Sequence, residues 1–436
     1  MRMKTINIIL IGLSVVLLGL SSCDNNPEKP VVEEASYQAN WDNTTHSWTG
    51  PAALALQGIT DNEMTDQIII DSGNGRSITE NNGENYFRFR NPQAVVTNNG
   101  TLLCFYTGAT ALGRPDGADN DITHVKMARS TDFGLTWTKK VIFEENEVHG
   151  SMMPVMHRAT NTIYLIGYKR DNGGPYRKLV LISKDNGESW QEGTDAFCGA
   201  METKYGEGVR GIPTKGISLP LDEGHDRPYF VSKSKGAGTR NYLTIGWLTD
   251  DNQLVPEAQG SQRANEPTLV ALEGSYAGQF LIIDRYNPSG GEPKTLRKQQ
   301  CYFDLNNHSF TAWEDSKLPK RTCQHGLIRY SGAKTQGGKK SRLLYSSSYG
   351  DQSYPSRFGG EVRLSYDEGE NWTLVKTVVD RSIHFAYSSL TILPDGSIAL
   401  FYETIGENDT RHGAVAFKRF TMGWLTDGAD LGWHQE

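Results

Sequence analysis

The chain has 436 residues, and its 44 Lys and Arg against 51 Asp and Glu give a formal net charge of −7. An acidic balance of this kind excludes nucleic acid as a partner held by a general basic surface, and it means that any anionic ligand must be met by a local cluster of arginines. The 37% hydrophobic content, 46 glycines, 9 tryptophans and absence of a long amphipathic run after the N-terminus predict an all-β protein rich in turns.

Met1 to Cys23 reads as a targeting segment, because Arg2 and Lys4 lead an apolar run from Ile6 to Leu20 that ends in small residues. Leu20-Ser21-Ser22-Cys23 resembles a bacterial lipobox, which implies a signal over residues 1–22 and a lipid anchor on Cys23 at a bacterial membrane. An ordinary cleaved signal is the alternative. Residues 23–36 are rich in Asp, Asn, Glu and Pro, as expected of a solvated tether. From Tyr37 to Glu436 there is no comparable linker, so one domain is expected. Cys104, Cys198, Cys301 and Cys323 are widely spaced and form no metal-binding pattern, and their pairing stays open.

Three segments share the pattern S-x-D-x-G-x-x-W: Ser130 to Trp137, Ser183 to Trp190 and Ser365 to Trp372. The pattern describes a hairpin turn in which Asp bonds nearby backbone N–H groups, Gly takes positive φ and Trp packs back over the turn. Weaker echoes stand at Leu248 to Asn252 and Tyr302 to Asn306, where Asn replaces Gly, and Trp424-Leu425-Thr426-Asp427 copies Trp247-Leu248-Thr249-Asp250. Recurrence at roughly 50–65 residues predicts a six-bladed β-propeller whose first and last segments meet to close the ring. Near the C-terminus, the residues from His384 to Glu403 read as two strands around a Pro394-Asp395-Gly396 turn, which puts Tyr387 and Glu403 near the open ends of neighbouring strands.

No zinc motif, dinucleotide fingerprint or serine nucleophile elbow is present, so neither a metal nor a cofactor is expected. Gly332 to Lys340 lacks the Lys-Ser/Thr of a phosphate loop and reads as a basic hairpin loop. His149, His325 and His384 have no ligand spacing. Other segments concentrate chemistry: Arg88 and Arg90 on one strand face before Asn91-Pro92; an acidic loop with Asp116, Asp119 and Asp121; Asn265-Glu266-Pro267 before a hairpin that ends in Arg285; and Arg357 on the approach to the third turn motif. Singly, each would read as a solvated charge.

Taken together, and in this order, these segments resemble the bacterial exo-α-sialidases (neuraminidases) with Asp-box (BNR) repeats, from about Thr65 onward. The resemblance implies a retaining glycoside hydrolase of sialylated glycans, with Tyr387 as nucleophile, Glu266 as its base and Asp119 as acid/base. It also implies Arg90, Arg285 and Arg357 as carboxylate ligands, and Glu403 as the residue that holds Arg90. Arg297 rivals Arg285, and Asp116 and Asp121 rival Asp119. The chemistry is consistent: guanidinium forks suit the planar carboxylate on the anomeric carbon of sialic acid. A neutral tyrosine avoids the like-charge repulsion that a carboxylate nucleophile would meet there. The rivals are a propeller glycosidase that uses Asp119 and Glu266 as an ordinary carboxylate pair, and a non-catalytic glycan-binding lipoprotein.

Overall fold

The three S-x-D-x-G-x-x-W segments form tight turns, and their hydrogen bonds explain each residue type. Ser130 Oγ accepts from the Gly134 N–H at 2.7 Å and donates to Asp132, which accepts from the Thr136 N–H at 2.9 Å. Ser183 and Ser365 accept in the same way from Gly187 and Gly369, at 3.0 and 2.9 Å. The three glycines lie at φ 92°, 85° and 89°, a region that side chains disfavour. Each also faces the preceding blade, and a Cβ there would strike Phe417, Leu103 or Leu281. The echoes differ. At the second, His308 rather than Asn306 takes positive φ, while Trp424 and Leu425 lie in a one-turn helix, Met422–Leu425, capped by Thr421. The copied tetrapeptide is therefore not a turn motif, because Trp247 and Leu248 belong to a strand.

In this computed structural model the described residues are 38–73, 86–111, 122–148, 151–170, 176–193, 214–221, 226–235, 241–251, 253–285, 298–319, 323–335, 340–349, 357–407 and 412–433. They lie in one compact unit, Ala35–Glu436. The signal and tether expectations, Cys23, Cys198, His149, Asp116, Asp119, Asp121 and Arg297 fall outside them.

The strands form six antiparallel blades, the first two joined where Glu147 and Val148 pair with Arg170 and Lys169. Blade 1 is Arg88–Val96, Leu102–Ala111, Ile122–Ser130 and Thr138–Val148; blade 2 is Met153–His157, Thr162–Arg170, Tyr176–Ser183 and Gln191–Glu192. Blade 3 is Ile217–Pro220, Asp226–Lys235, Asn241–Leu248 and Leu254–Arg263. Blade 4 is Thr268–Ala271, Gln279–Asp284, Gln299–Asp304 and Ser309–Phe310, with Glu314–Asp315 beside its third strand. Blade 5 is Gly326–Ser331, Arg342–Ser348, Phe358–Ser365 and Leu374–His384. Blade 6 is Ala386–Ile392, Ile398–Thr404 and Ala414–Phe420, and its outer strand is Ile68–Ser72 from the start of the domain, paired antiparallel to Ala414–Phe420. The ends of the domain thus meet in one sheet.

First strands of successive blades pack on one another right round the ring, from blade 1 to blade 6 and back. Among the described residues the buried apolar side chains divide into six main clusters, each between two neighbouring blades; Phe401 and Phe417 of blade 6, for example, share one with Phe89 and Tyr106 of blade 1. Central strands are consequently buried on both faces, and Ile398–Thr404 is buried at every position. Residues 38–67 precede the blades and include a short hairpin, Asn40–Asp42 with Ser47–Thr49. Cys104, Cys301 and Cys323 are buried free thiols.

Gly134→Ala combines left-handed backbone with a Cβ against the Phe417 ring, and is expected to lower unfolding free energy by about 2–4 kcal/mol in urea titrations. Gly274→Ala, at φ 61° but with open space about its Cβ, should cost only about 1 kcal/mol.

Candidate active site

Antiparallel topology decides which residues share a face of the propeller. Starts of first and third strands lie on the same face as ends of second and fourth strands, whereas the S-x-D-x-G-x-x-W turns, between third and fourth strands, lie on the other. Arg90 and Tyr387 sit at starts of first strands, and Glu266 just before one. Glu403 and Arg285 sit at ends of second strands, and Arg357 just before a third strand. All six therefore belong to one face. Asp119 lies outside the described residues, in sequence between Leu102–Ala111 and Ile122–Ser130 of blade 1.

Tyr387 is at the centre. A bulge between Ala386 and Ser389 interrupts pairing with Ile398–Thr404 and leaves Tyr387 at φ 46°, an unusual conformation for an aromatic residue. Its N–H donates to Cys323 Sγ at 3.1 Å, which helps to hold the bulge. The Tyr387 hydroxyl lies 3.3 Å from Glu266 Oε1 and accepts from Arg285 Nη1 at 3.1 Å. The same Nη1 reaches Glu266 Oε1 and Oε2 at 2.9 and 2.8 Å. Asp284 fixes the backbone there, accepting from the Glu266 N–H at 2.8 Å. The guanidinium carbons of Arg90 and Arg357 lie 5.1 and 5.4 Å from the Tyr387 ring centroid. The three arginines are thus gathered about one side chain.

Glu403 is fully buried, 3.3 Å from Arg90 Nε, and accepts the Asn91 N–H at 2.7 Å. Asn91 achieves this at φ 58°, which Asn tolerates better than a β-branched residue would. Burial alone would raise the Glu403 carboxyl, but Arg90, His412 and the Asn91 N–H hold it down at about 2. Burial also acts on Glu266, where Arg285, helped by Lys233 and Lys298, brings the carboxyl below its ordinary value. Burial and the Glu266 charge push the Tyr387 phenol well up, against Arg285 and Arg90, so it is protonated at neutral pH. A carboxylate next to a protonated phenol can take its proton, and the arginines can bind an anion.

Residues not anticipated from sequence are Cys323, Asp284 and His412. Each acts through a contact distant in sequence or a turn geometry, and none stands in a motif. His325, read as structural, is buried against Lys298, Thr268 and Tyr345. Among the described residues no group of His, Cys, Asp and Glu has the arrangement to hold a metal ion. A depression of about 650 Å³ between blades 4 and 5 is lined by Glu273, Tyr276, Glu368 and Glu370. It lies on the turn-motif face and carries the wrong charge for an anion.

Fold and site together define a six-bladed propeller that presents three arginines around a buried tyrosine–glutamate pair. The known proteins that the chain is similar to include sialidases. The chain is 25% identical over 385 residues to a sialidase of Micromonospora viridifaciens, covering 80% of this chain and 54% of that protein. It is 24% identical over 373 residues to a sialidase of Clostridium perfringens, covering 79% and 74%. The structure matches the intramolecular trans-sialidase from Ruminococcus gnavus, in complex with oseltamivir carboxylate, with a TM-score of 0.60 at 15% identity, over 80% of this chain and 98% of that one. No protein-family model matches the chain. The chain spans about half the length of its Micromonospora relative. Its curated homologues are sialidases and its fold is the sialidase-type propeller.

The depressed Glu403 value sets a pH dependence. Its folded-state value of about 2 lies below the ordinary 4.5, so the stability it contributes is complete above about pH 4.5 and is lost as pH falls through 2. In urea unfolding at a series of pH values, the gap between wild type and Glu403→Gln should narrow over that window, by roughly 3 kcal/mol in all.

Proposed function

We propose that the protein is a retaining exo-α-sialidase that releases terminal sialic acid from glycans through a tyrosyl-enzyme intermediate. The observation that carries this reading is the convergence of Arg90, Arg285 and Arg357 on Tyr387, whose hydroxyl lies 3.3 Å from Glu266. The sialic acid carboxylate binds the arginines. As it engages Arg285, that guanidinium loosens its hold on Glu266, whose basicity rises. Glu266 then takes the phenol proton while the Tyr387 oxygen attacks the anomeric carbon, and Asp119 protonates the departing glycosidic oxygen. In the second step Asp119 takes a proton from water as the water displaces Tyr387, and the proton on Glu266 returns to the phenol. Two inversions give net retention.

A fluorinated sialyl donor should label the peptide that contains Tyr387, and Tyr387→Phe should abolish both the label and chromophore release from an α-sialoside. A label on Glu266 or Asp119 would favour the carboxylate-pair glycosidase instead. With active wild-type protein, mass spectrometry separates hydrolysis from intramolecular transfer, whose anhydro product is one water lighter.

We also propose that the protein is tethered to a bacterial envelope by a lipid on Cys23, within reach of sialylated glycans. Cys23→Ala should shift the protein from the membrane fraction to a soluble or unprocessed form. A wild type that already fractionates as soluble would refute the anchor.

A further inference from the structure

His412 lies between the second and third strands of blade 6, on the face that holds the arginines. Its Nδ1 is 2.5 Å from Glu403 Oε2, and its Nε2 is 2.9 Å from Arg357 Nη1. Both partners are restricted in role. Glu403 is ionised and can only accept, so the proton of the ring sits on Nδ1. Arginine can only donate, so Nε2 carries the lone pair. The neutral Nδ1–H tautomer satisfies both contacts; the other neutral tautomer satisfies neither. An imidazolium keeps the Glu403 bond but turns an N–H toward the Arg357 N–H.

We propose that His412 is a positioning residue of the sialoside site, linking the carboxylate that holds Arg90 to the guanidinium of Arg357 so that two of the three arginines are set as a unit. The inference rests on the function proposed above and deepens it. Arg357 depends on such a link: it stands just outside a strand at φ 69°, and among the described residues its guanidinium is held by His412 and the Tyr387 face. His412 itself sits at φ 56°, in the left-handed region.

The groups facing His412 make the link sensitive to pH. Glu403 favours the protonated ring, whereas burial, Arg90 and Arg357 oppose it and together keep His412 below its ordinary value. The His384 ring, edge-on at a centroid distance of 4.5 Å, is held neutral to about 4, first by burial and then by His412. The Tyr387 ring, 6.5 Å away, is uncharged at neutral pH. Protonation of His412 as pH falls therefore costs the Arg357 bond and repels the Arg357 guanidinium from its place beside Tyr387. The expected result is weaker carboxylate binding on the acid side.

The test uses the full chain and a chromogenic α-sialoside over about pH 4.5–8. Loss of hydrogen bonds to charged partners in His412→Phe should raise KM about ten- to hundredfold with a smaller change in kcat. His412→Gln offers an amide donor and acceptor side by side without titrating. It should keep KM within about threefold of wild type and lose the acid-side rise in KM. An unchanged KM in His412→Phe, or the same acid limb in His412→Gln, would overturn the proposal. Nitrogen-15 spectra of histidine-labelled protein, assigned by comparison with His412→Gln, should show the Nδ1–H tautomer at neutral pH. The Nε2–H form or an imidazolium there would overturn it even if His412→Phe fails to fold. Inactive wild-type protein would refute the proposed function, while the spectra still decide the link.

Discussion

Each blade must bury both of its faces, and a four-stranded sheet cannot do so alone. The ring answers that constraint by placing apolar clusters between every pair of neighbours, the pair formed by blades 6 and 1 included. Closure has a covalent aspect, because Ile68–Ser72 completes a blade otherwise built from the C-terminal strands. Separation of blades 1 and 6 would strip that strand from its sheet as well as open a core. The glycines of the turn motifs follow from the same constraint, since each backbone runs against the blade before it.

A rigid ring makes an arginine cluster tolerable. Three guanidinium groups repel one another, and the buried carboxylates Glu266 and Glu403 offset that cost, Glu266 through hydrogen bonds to Arg285 and Glu403 through an ion pair with Arg90. The three arginines and two carboxylates come from blades 1, 4, 5 and 6, so no single blade could assemble the cluster. Left-handed backbone gathers at the same place: Asn91, Arg357, Tyr387 and His412 have φ between 46° and 69°. Such residues cost on the order of 1–3 kcal/mol each and persist where surroundings over-determine them. Here the bonds from the Tyr387 N–H to Cys323, from the Asn91 N–H to Glu403 and from the Phe385 N–H to the Arg357 carbonyl do so.

The proton balance at Tyr387 and Glu266 has a functional side. Burial raises the phenol and Arg285 lowers the carboxyl, so both shifts keep the proton on oxygen Oη at rest. A ligand carboxylate that engages Arg285 works against the second of these. Under the proposed function, substrate binding and nucleophile activation are thereby one electrostatic event.

Local chemistry was legible in the chain. The turn motifs, the Pro394-Asp395-Gly396 hairpin and the repeat length are short-range patterns whose meaning depends on neighbours in sequence, and together they specified an all-β propeller. The order of Arg90, Glu266, Arg285, Arg357, Tyr387 and Glu403 pointed to a family resemblance. Their convergence was a matter for strand direction, because only antiparallel pairing around a closed ring puts residues hundreds of positions apart on one face. The bulge that turns Tyr387 inward, the Asp284 bond beneath Glu266 and the tautomer of His412 left no local mark: each is defined by a partner that the ring, and not the neighbouring sequence, brings within hydrogen-bond distance.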